Sequence, residues 1–355
     1  MKSKQIMVTG IGVIGDFGAG KGDFIRFFDE RPIIKKVEEI EAQDYMDASQ
    51  LRRADVTSCF ASVASKLAFD DAGLKNGDVP SERIGLVVGT THGPVGYAHE
   101  YHREIVLGDP TTVSPLLFSN SLANTMASYI GNIFKIKGQT TTLSGYNAVF
   151  SSVKYACELI KDDIVDVCLV GGADIYNDII SEPYAHCRVD NKKLAGFFGG
   201  SGIMLLESID HAKKRGAKLY CEVISAEMMT ASLEKMREYG VSPVDRLFGK
   251  NKRDINRTDL VLSAAFREKE CLYRQRFFIE KFAGNVPVFN CSKYFEETFS
   301  AGEIFEIICG ILLAKGEIGY NNENGNIKAL GSASCVIVSN TGKRFSNGIL
   351  LLGGS

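Results

Sequence analysis

Residues 140–174, TTTLSGYNAVFSSVKYACELIKDDIVDVCLVGGAD, contain the features that decide the fold. The segment begins with a short polar and apolar run, turns sharply at Ser144-Gly145, and continues with apolar residues at helical spacing. It ends in an apolar run, 165–170, that is typical of a strand, followed by Gly-Gly-Ala-Asp at 171–174. The residues predicted to share one buried helix face are Phe150, Val153, Ala156, Leu159 and Ile160.

A strand, a tight turn and a helix in this order place one side chain at the N-terminus of the helix. The unpaired amides and the dipole of the helix favour negative charge at that end, so an acid or a thiolate there becomes reactive. We therefore expect the turn after Ser144 to hold the position that decides the chemistry of this protein.

The same segment resembles the nucleophile elbow of the β-ketoacyl-acyl carrier protein (ACP) synthases, a family with the thiolase fold. The family's elbow reads roughly T-A-C-A-S-G, whereas residues 144–149 here read SGYNAV. Counting back from Gly171-Gly172 places Tyr146 at the cysteine position, and counting forward from Gly138 places Asn147 there. The helical pattern favours Tyr146, but both residues remain candidates and neither is a cysteine.

Composition excludes several classes of protein. With 24% charged residues and a net charge of −2, the 355-residue chain has no basic surface typical of nucleic-acid binding. The longest apolar runs, such as 304–314, are too short to cross a bilayer, so we expect no membrane partner. Nine cysteines without a C-x-x-C pair, and no secretory pattern in residues 1–10, predict reduced thiols in a cytoplasmic protein.

Two glycine patterns and a group of histidines suggest ligand sites, and we interpret none of them as one. Residues 10–15 match a dinucleotide fingerprint, but no convincing acidic residue closes a second strand. Residues 15–21 nearly match a phosphate loop, but Gly22 replaces the hydroxyl residue that magnesium requires. We expect a strand at 5–10 that leads into a tight turn.

His92, His99 and His102 do not share one helix face, so we predict no metal site and no cofactor.

The rest of the chain alternates predicted strands and helices, which is typical of an α/β fold with helix-covered, mixed sheets. The resemblance implies the thiolase fold, with two related halves in a five-layered αβαβα arrangement. We expect the halves to be residues 1–209 and 210–355, in one compact unit without a linker. Strands are predicted at 83–89, 203–207, 219–224, 259–262, 286–290, 327–338 and 349–352, and helices at 54–74, 303–314 and in the segment that ends at 134.

The other catalytic positions of the family are also altered. Its active members use two histidines that donate hydrogen bonds to an enolate. The alignment places Ala264 at the first histidine position and Glu297 at the second, and no histidine follows His211. A tyrosine phenol, with a pKa near ~10, is mostly protonated and a poorer acyl acceptor than a thiolate. We therefore predict that the chain does not condense acyl units by itself.

A catalytically inactive member of this family implies a partner. The resemblance is greatest to chain-length factors, which pair with an active β-ketoacyl-ACP synthase in polyketide and polyene synthesis, and ACP is a further expected partner. An alternative is an enzyme with altered chemistry on acyl thioesters that uses Tyr146 or Glu297, and a third possibility is a homodimer. The resemblance places these residues at the acyl tunnel or dimer interface: Phe118, Asn120, Asn124, Met126, Phe134, Thr141 and Leu143.

Overall fold

A computed structural model of the chain describes residues 4–30, 39–75, 77–185, 198–230, 258–265, 286–290, 294–295, 299–321, 327–329, 335–341 and 346–354. Its strands are β1 (Ile6–Gly15), β2 (Gly18–Ala19), β3 (Ile84–Thr90), β4 (Thr140–Ser144), β5 (Val167–Asp174), β6 (Gly200–Ser208), β7 (Cys221–Thr230), β8 (Thr258–Ala265), β9 (Val288–Asn290), β10 (Gly319–Asn321), β11 (Ile327–Ala329), β12 (Cys335–Thr341) and β13 (Ser346–Gly354). Its helices are α1 (Lys21–Glu30), α2 (Ala48–Leu51), α3 (Val56–Ala72), α4 (Val95–Leu107), α5 (Pro115–Asn120), α6 (Thr125–Phe134), α7 (Ala148–Lys161), α8 (Asp178–Ala185), α9 (Ile209–Lys214) and α10 (Phe299–Lys315).

The main sheet repeats one strand pattern twice. Its order is β4-β3-β5-β6-β1-β7-β13-β12-β8-β9, and the first half joins the second through one residue pair, Met7 and Glu222. In the first half β3 runs parallel to β4 and β5, and β6 is antiparallel to both β5 and β1. In the second half β8 runs parallel to β9 and β12, and β13 is antiparallel to both β12 and β7. The predicted α/β fold with two related halves is therefore confirmed.

The helices form layers on either side of these strands. α3 packs on β1 and β6 and against α6, on one face of the first half. α7 contacts β3 and β5 of the first half and β7 and β13 of the second, and α10 contacts strands of both halves. Most of α10 is apolar, and its residues 299–314 are all buried, which is expected of a helix in a central layer. No helix in the described ranges is long and apolar enough to cross a membrane.

The glycines of β1 have a packing role that differs from the predicted turn. β1 continues through Gly10 and Gly12 to Gly15, so the expected tight turn after residue 10 is wrong. A Cβ atom on Gly10 would lie 2.4 Å from the carbonyl oxygen of Ala68, and one on Gly12 would lie 2.0 Å from that of Ala64. The glycine pattern thus allows α3 to lie directly on the strand, and it does not form a nucleotide-binding loop.

Most other predicted elements are present with shifted ends. The helix expected at 54–74 is α3, which begins after Asp55 and ends at Gly73. Asp55 accepts a hydrogen bond from the amide of Ser58, and Gly73 has the left-handed φ of 65° common after a helix. The single strand expected at 327–338 is wrong: β11 pairs with β10 in a separate two-stranded sheet, while β12 pairs with β8 and β13.

A buried carboxylate at the end of β6 ties the first half together. Glu207 accepts hydrogen bonds from the hydroxyl of Thr9, from His211 Nδ1 at 2.7 Å and from Arg215 Nε at 2.8 Å. Arg215 also donates to the carbonyl oxygen of Ala72, at the end of α3. Burial opposes ionisation of Glu207, but the hydrogen bonds from Arg215, Thr9 and His211 outweigh it and lower the pKa of this carboxyl.

We expect Glu207→Gln to lower the free energy of unfolding at pH 7 by about 3 kcal/mol, because it leaves the Arg215 guanidinium without its carboxylate. The folded-state pKa of Glu207 lies below its unfolded value, so this stabilisation is complete above the unfolded pKa and disappears as pH falls through the folded pKa. Urea unfolding at neutral and acidic pH measures both effects. The exposed Glu82→Gln is the control, and an equal loss at both pH values would contradict the ionic role.

Candidate functional site

The predicted elbow forms where β4 passes into α7. β4 ends at Ser144, Gly145 takes a φ of 126°, and its amide donates to the carbonyl oxygen of Thr90 at 3.0 Å. Asn147 caps the helix with the left-handed angles φ 59° and ψ 30°. The five residues predicted to share the apolar face of the helix are all buried. The strand, turn and helix expected from the sequence are therefore confirmed.

The two candidates for the cysteine position lie in different surroundings. Asn147 is fully buried at the bend, in a left-handed conformation that asparagine tolerates better than most residues. Tyr146 is half-buried and belongs to a small apolar cluster next to the elbow. Besides Tyr146, that cluster contains Val95, Tyr176, Ile180 and Phe299.

An acidic side chain from α10 occupies the amides at the start of α7. Glu303 Oε1 accepts from the amide of Asn147 at 2.7 Å, and Oε2 accepts from the amide of Val149 at 2.9 Å. Glu303 is only 4% exposed. Burial raises the pKa of Glu303 well above its usual range, against the opposing effect of the two amide hydrogen bonds. The helix end that favours negative charge is therefore already filled by the protein itself.

A second carboxylate holds the start of α10. Asp174, the acid of the Gly-Gly-Ala-Asp sequence, is buried and accepts from the hydroxyl of Thr90 and from the amide of Thr91, each at 2.9 Å. It also accepts from the amides of His92 at 3.0 Å and Ser300 at 2.9 Å. Asp174 thus joins the end of β5, the loop after β3 and the first turn of α10. The N-termini of the two central helices both receive an internal carboxyl group.

Two glycines allow the elbow to lie directly against the sheet. A Cβ atom on Gly89 would lie 2.8 Å from the carbonyl carbon of Ala148 and from the amide nitrogen of Val149. A Cβ atom on Gly172 would lie 2.6 Å from Val149 Cγ2. The start of α7 therefore has no room to move toward β3 or β5.

The reactive groups expected of an acyl-transfer site are missing from the elbow. Five of the six cysteines in the described ranges are buried, and burial raises the pKa of Cys157 to about 12. Burial, with the charge of Asp55, also raises the pKa of Cys59 to about 11, so these thiols are inert at neutral pH. A histidine that the sequence did not associate with the elbow, His92, packs edge-on against Phe299 with ring centroids 4.3 Å apart.

The other predicted catalytic positions are only partly described. Ala264 lies within β8, where its backbone is in register with Asn340 of β12. Glu297 lies outside the described residues, so its role stays a prediction. Among the residues that the structure describes, no three histidine, cysteine, aspartate or glutamate side chains are placed to hold a metal ion.

The residues predicted at the acyl tunnel or interface fall into three environments. Asn120 and Met126 are buried, and Asn120 donates to the carbonyl oxygen of Arg53 at 2.8 Å. Phe134 packs on Phe69, away from the elbow, beside a separate groove of about 430 Å³. The remaining residues are exposed or half-buried around β4, α5 and the start of α6, and they are Phe118, Asn124, Thr141 and Leu143.

A cavity of about 330 Å³ lies close to the elbow. It is bounded by the start of α3, the start of α4, one residue of α5 and the segment after β5. Two of its lining residues, Val95 and Tyr176, also belong to the apolar cluster that contains Tyr146. The cavity therefore adjoins the elbow on the side of Tyr146.

An exposed apolar face lies on α4, α5 and the loop that follows α5. We call it the α4–α5 face, and its residues are Val106, Leu107, Leu116, Phe118 and Leu122. Phe118 is 49% exposed and contacts Tyr101 of α4. β4 is the outermost strand of the first half of the sheet and pairs with β3 on one side. Apolar patches and sheet edges of this kind are typical of protein interfaces.

A sequence family model matches the part of the chain that contains the elbow. The sequence model of a family described as "Beta-ketoacyl synthase, N-terminal domain" matches residues 29–194, just under half of the chain. A 3-oxoacyl-[acyl-carrier-protein] synthase 2 of Coxiella burnetii is 22% identical over 263 residues, 64% of this chain and 64% of the relative. The chain thus spans less than two thirds of the length of the curated relatives it matches.

Solved structures show the same fold over the whole chain. The ishigamide ketosynthase/chain length factor covers 99% of this chain and 100% of its own, with a TM-score of 0.79 and 20% identity. A type II polyketide ketosynthase, solved in complex with its acyl-carrier protein and bound to the hexaketide, covers the same shares with a TM-score of 0.77 and 17% identity. At these identities the likeness establishes the predicted thiolase fold.

We expect Gly89→Ala to lower the free energy of unfolding by about 1–3 kcal/mol, because the added methyl group overlaps the backbone at the start of α7. Gly22→Ala in α1 is the matched control. No atom lies within 4 Å of the added methyl there, and we expect a gain of up to about 1 kcal/mol from higher helix propensity. Urea denaturation measures both variants. Equal stability of Gly89→Ala and the unsubstituted protein would disprove the close contact.

Proposed function

Since the chain is similar to the β-ketoacyl synthases in sequence and has the thiolase fold, we propose that it is a non-catalytic ketosynthase subunit. Its partner is an active β-ketoacyl-ACP synthase, in a fatty-acid or polyketide pathway. The single observation that carries this proposal is the state of the elbow. Tyr146 and Asn147 replace the nucleophile, and an internal carboxyl group occupies the amides behind them.

Acyl transfer requires a nucleophile and hydrogen-bond donors aimed at the oxygen that becomes negative. Loss of one such donor commonly costs on the order of 10²–10³ in rate. Here the thiol is absent and two backbone donors already bond Glu303. Burial raises the pKa of the Cys157, Cys168 and Cys221 thiols, so these three stay protonated at neutral pH. Condensation therefore depends on a second subunit that supplies these groups.

The α4–α5 face and the edge of β4 are the surfaces through which such a subunit would bind. Leu107 is 78% exposed and Phe118 is 49% exposed, which is costly for a surface that remains in water. The edge strand β4 adds Thr141 and Leu143 to this surface, and both side chains are half-buried. Burial of this face against a related chain removes both the apolar surface and the open sheet edge.

The cavity next to Tyr146 supports a role in acyl-chain length. Its volume of about 330 Å³ is in the range of small-molecule sites, and its walls are mainly apolar. It opens beside Leu117 of α5, so it lies next to the α4–α5 face. An acyl chain that grows from the partner's active site would meet this wall. The two similar structures, one named for a chain length factor and one bound to its acyl-carrier protein, support the same partners for this chain.

A second candidate is an enzyme with altered chemistry that uses Tyr146 or Glu297 on an acyl thioester. Tyr146 is half-buried and lies in a cluster that adjoins the cavity, so a ligand in the cavity could reach it. This position supports a reactive role for Tyr146 more than a purely structural role in the core. Assembly of two copies of this chain is a third arrangement that uses the same face.

We expect the tagged chain to co-purify with a catalytic ketosynthase from the same cells, and Phe118→Asp to reduce the recovered partner at least tenfold by placing a charge in the apolar interface. Ile164→Asp is the matched control. Ile164 is 48% exposed but lies just before β5, at the opposite end of the parallel strands from the α4–α5 face. A homodimer that ignores the ketosynthase would overturn the proposal.

The altered-enzyme alternative has its own test. Incubated alone with acyl-ACP and malonyl-ACP, the chain is expected to give no product, because neither a thiolate nor open elbow amides are present. Product analysis by mass spectrometry measures this directly. Turnover that is lost in Tyr146→Phe, with the fold kept, would instead establish the altered enzyme.

A further inference from the structure

The contact between Glu303 and the elbow has the geometry of a bound ligand. Its two carboxyl oxygens accept from the amides of Asn147 and Val149 at 2.7 and 2.9 Å, within the first turn of α7. Amides at a helix N-terminus bind carboxylates, phosphates and developing oxyanions through the same two features, the unsatisfied donors and the dipole. Glu303 thus occupies the place that an anionic or carbonyl oxygen of an acyl group would take.

This placement is costly for the protein. Glu303 lies on a mainly apolar stretch of α10 in the central layer, and a carboxyl group is rarely buried there without a specific partner. Two further acids lie near it, Asp174 at the end of β5 and Glu306 one turn along α10. Each of these has its own donors: backbone amides and a hydroxyl for Asp174, and the amide group of Asn340 for Glu306. Glu303 is the acid that accepts from the amides at the start of α7.

We propose that Glu303 is an internal blocking group that closes the elbow to acyl ligands, separately from the loss of the cysteine. This inference rests on the proposed non-catalytic function. It attributes the inactivity to two independent features, the absence of the cysteine and the presence of Glu303 at the elbow amides. Restoring a thiol alone at the bend would therefore not restore a reactive site. Removal of the Glu303 carboxyl group is needed as well, because its two oxygens occupy the amide donors that would otherwise stabilise a thiolate.

The test introduces a thiol at the bend with and without the blocking group. Asn147→Cys is compared with the double variant Asn147→Cys/Glu303→Ala, using iodoacetamide, which loses iodide as the thiolate sulfur forms the new carbon–sulfur bond. Mass spectrometry of the peptide that contains residue 147 separates this thiol from the native cysteines. We expect alkylation at pH 7 to be at least about tenfold faster in the double variant, which corresponds to a thiol pKa lower by one unit or more.

The matched control is Asn147→Cys/Glu306→Gln, which changes a second buried acid on the same helix, one that accepts from the side-chain amide of Asn340. We expect this variant to react as slowly as Asn147→Cys alone. Full pH–rate profiles separate a change of thiol pKa from a change of access, and thermal unfolding checks that each variant is folded. If Glu303→Ala destabilises the fold, Glu303→Gln provides a second comparison, because its side chain has one acceptor oxygen in place of two and can no longer bond both amides.

Equal alkylation rates and equal thiol pKa values with and without Glu303 would overturn the inference. A fast reaction in Asn147→Cys alone would overturn it too. Neither result depends on a partner subunit, so failure of co-purification with a ketosynthase leaves this test intact. In the same way, a failed blocking role leaves the interface proposal to its own experiment.

Discussion

The arrangement on which the rest of the structure depends is the capping of two central helices by buried carboxyl groups. Asp174 accepts from the amide of Ser300 at the start of α10, and Glu303 from α10 accepts from the amides of Asn147 and Val149 at the start of α7. Each helix end carries partial positive charge and amides that the interior cannot solvate. Because the acids come from other elements, the caps also fix the two helices, β5 and the loop after β3 relative to one another.

The helices near these caps pack so closely on the strands that they cannot shift to make room for an added group. Gly89 and Gly172 bring β3 and β5 into contact with the first turn of α7, and Gly10 and Gly12 do the same for α3 on β1. Interiors packed this closely respond to an added methyl group with strain. Many backbone contacts thus hold the elbow in place, although neither Tyr146 nor Asn147 is a cysteine. The backbone geometry of the elbow therefore does not depend on a cysteine at these positions.

Much of the fold could be predicted from the sequence, because periodicity and end signals are local. The apolar spacing predicted α7, and the helix predicted at 54–74 matches α3 within two residues at each end. The turn expected after Gly10 was wrong because the same glycines that permit a turn also permit a helix to lie on a strand. The role of Glu303 could not be predicted, since 154 residues separate it from Val149 and only the folded chain joins them.

Some features of the elbow are visible in the sequence and others only in the folded chain. The absence of a cysteine at Tyr146 and Asn147 is visible in the sequence alone. A buried acid on the helix end is a different kind of change, because it costs desolvation and therefore needs a compensating partner to be kept. The elbow amides bond Glu303 internally, while the apolar α4–α5 face is exposed. Both features are those expected of the non-catalytic partner subunit that we propose.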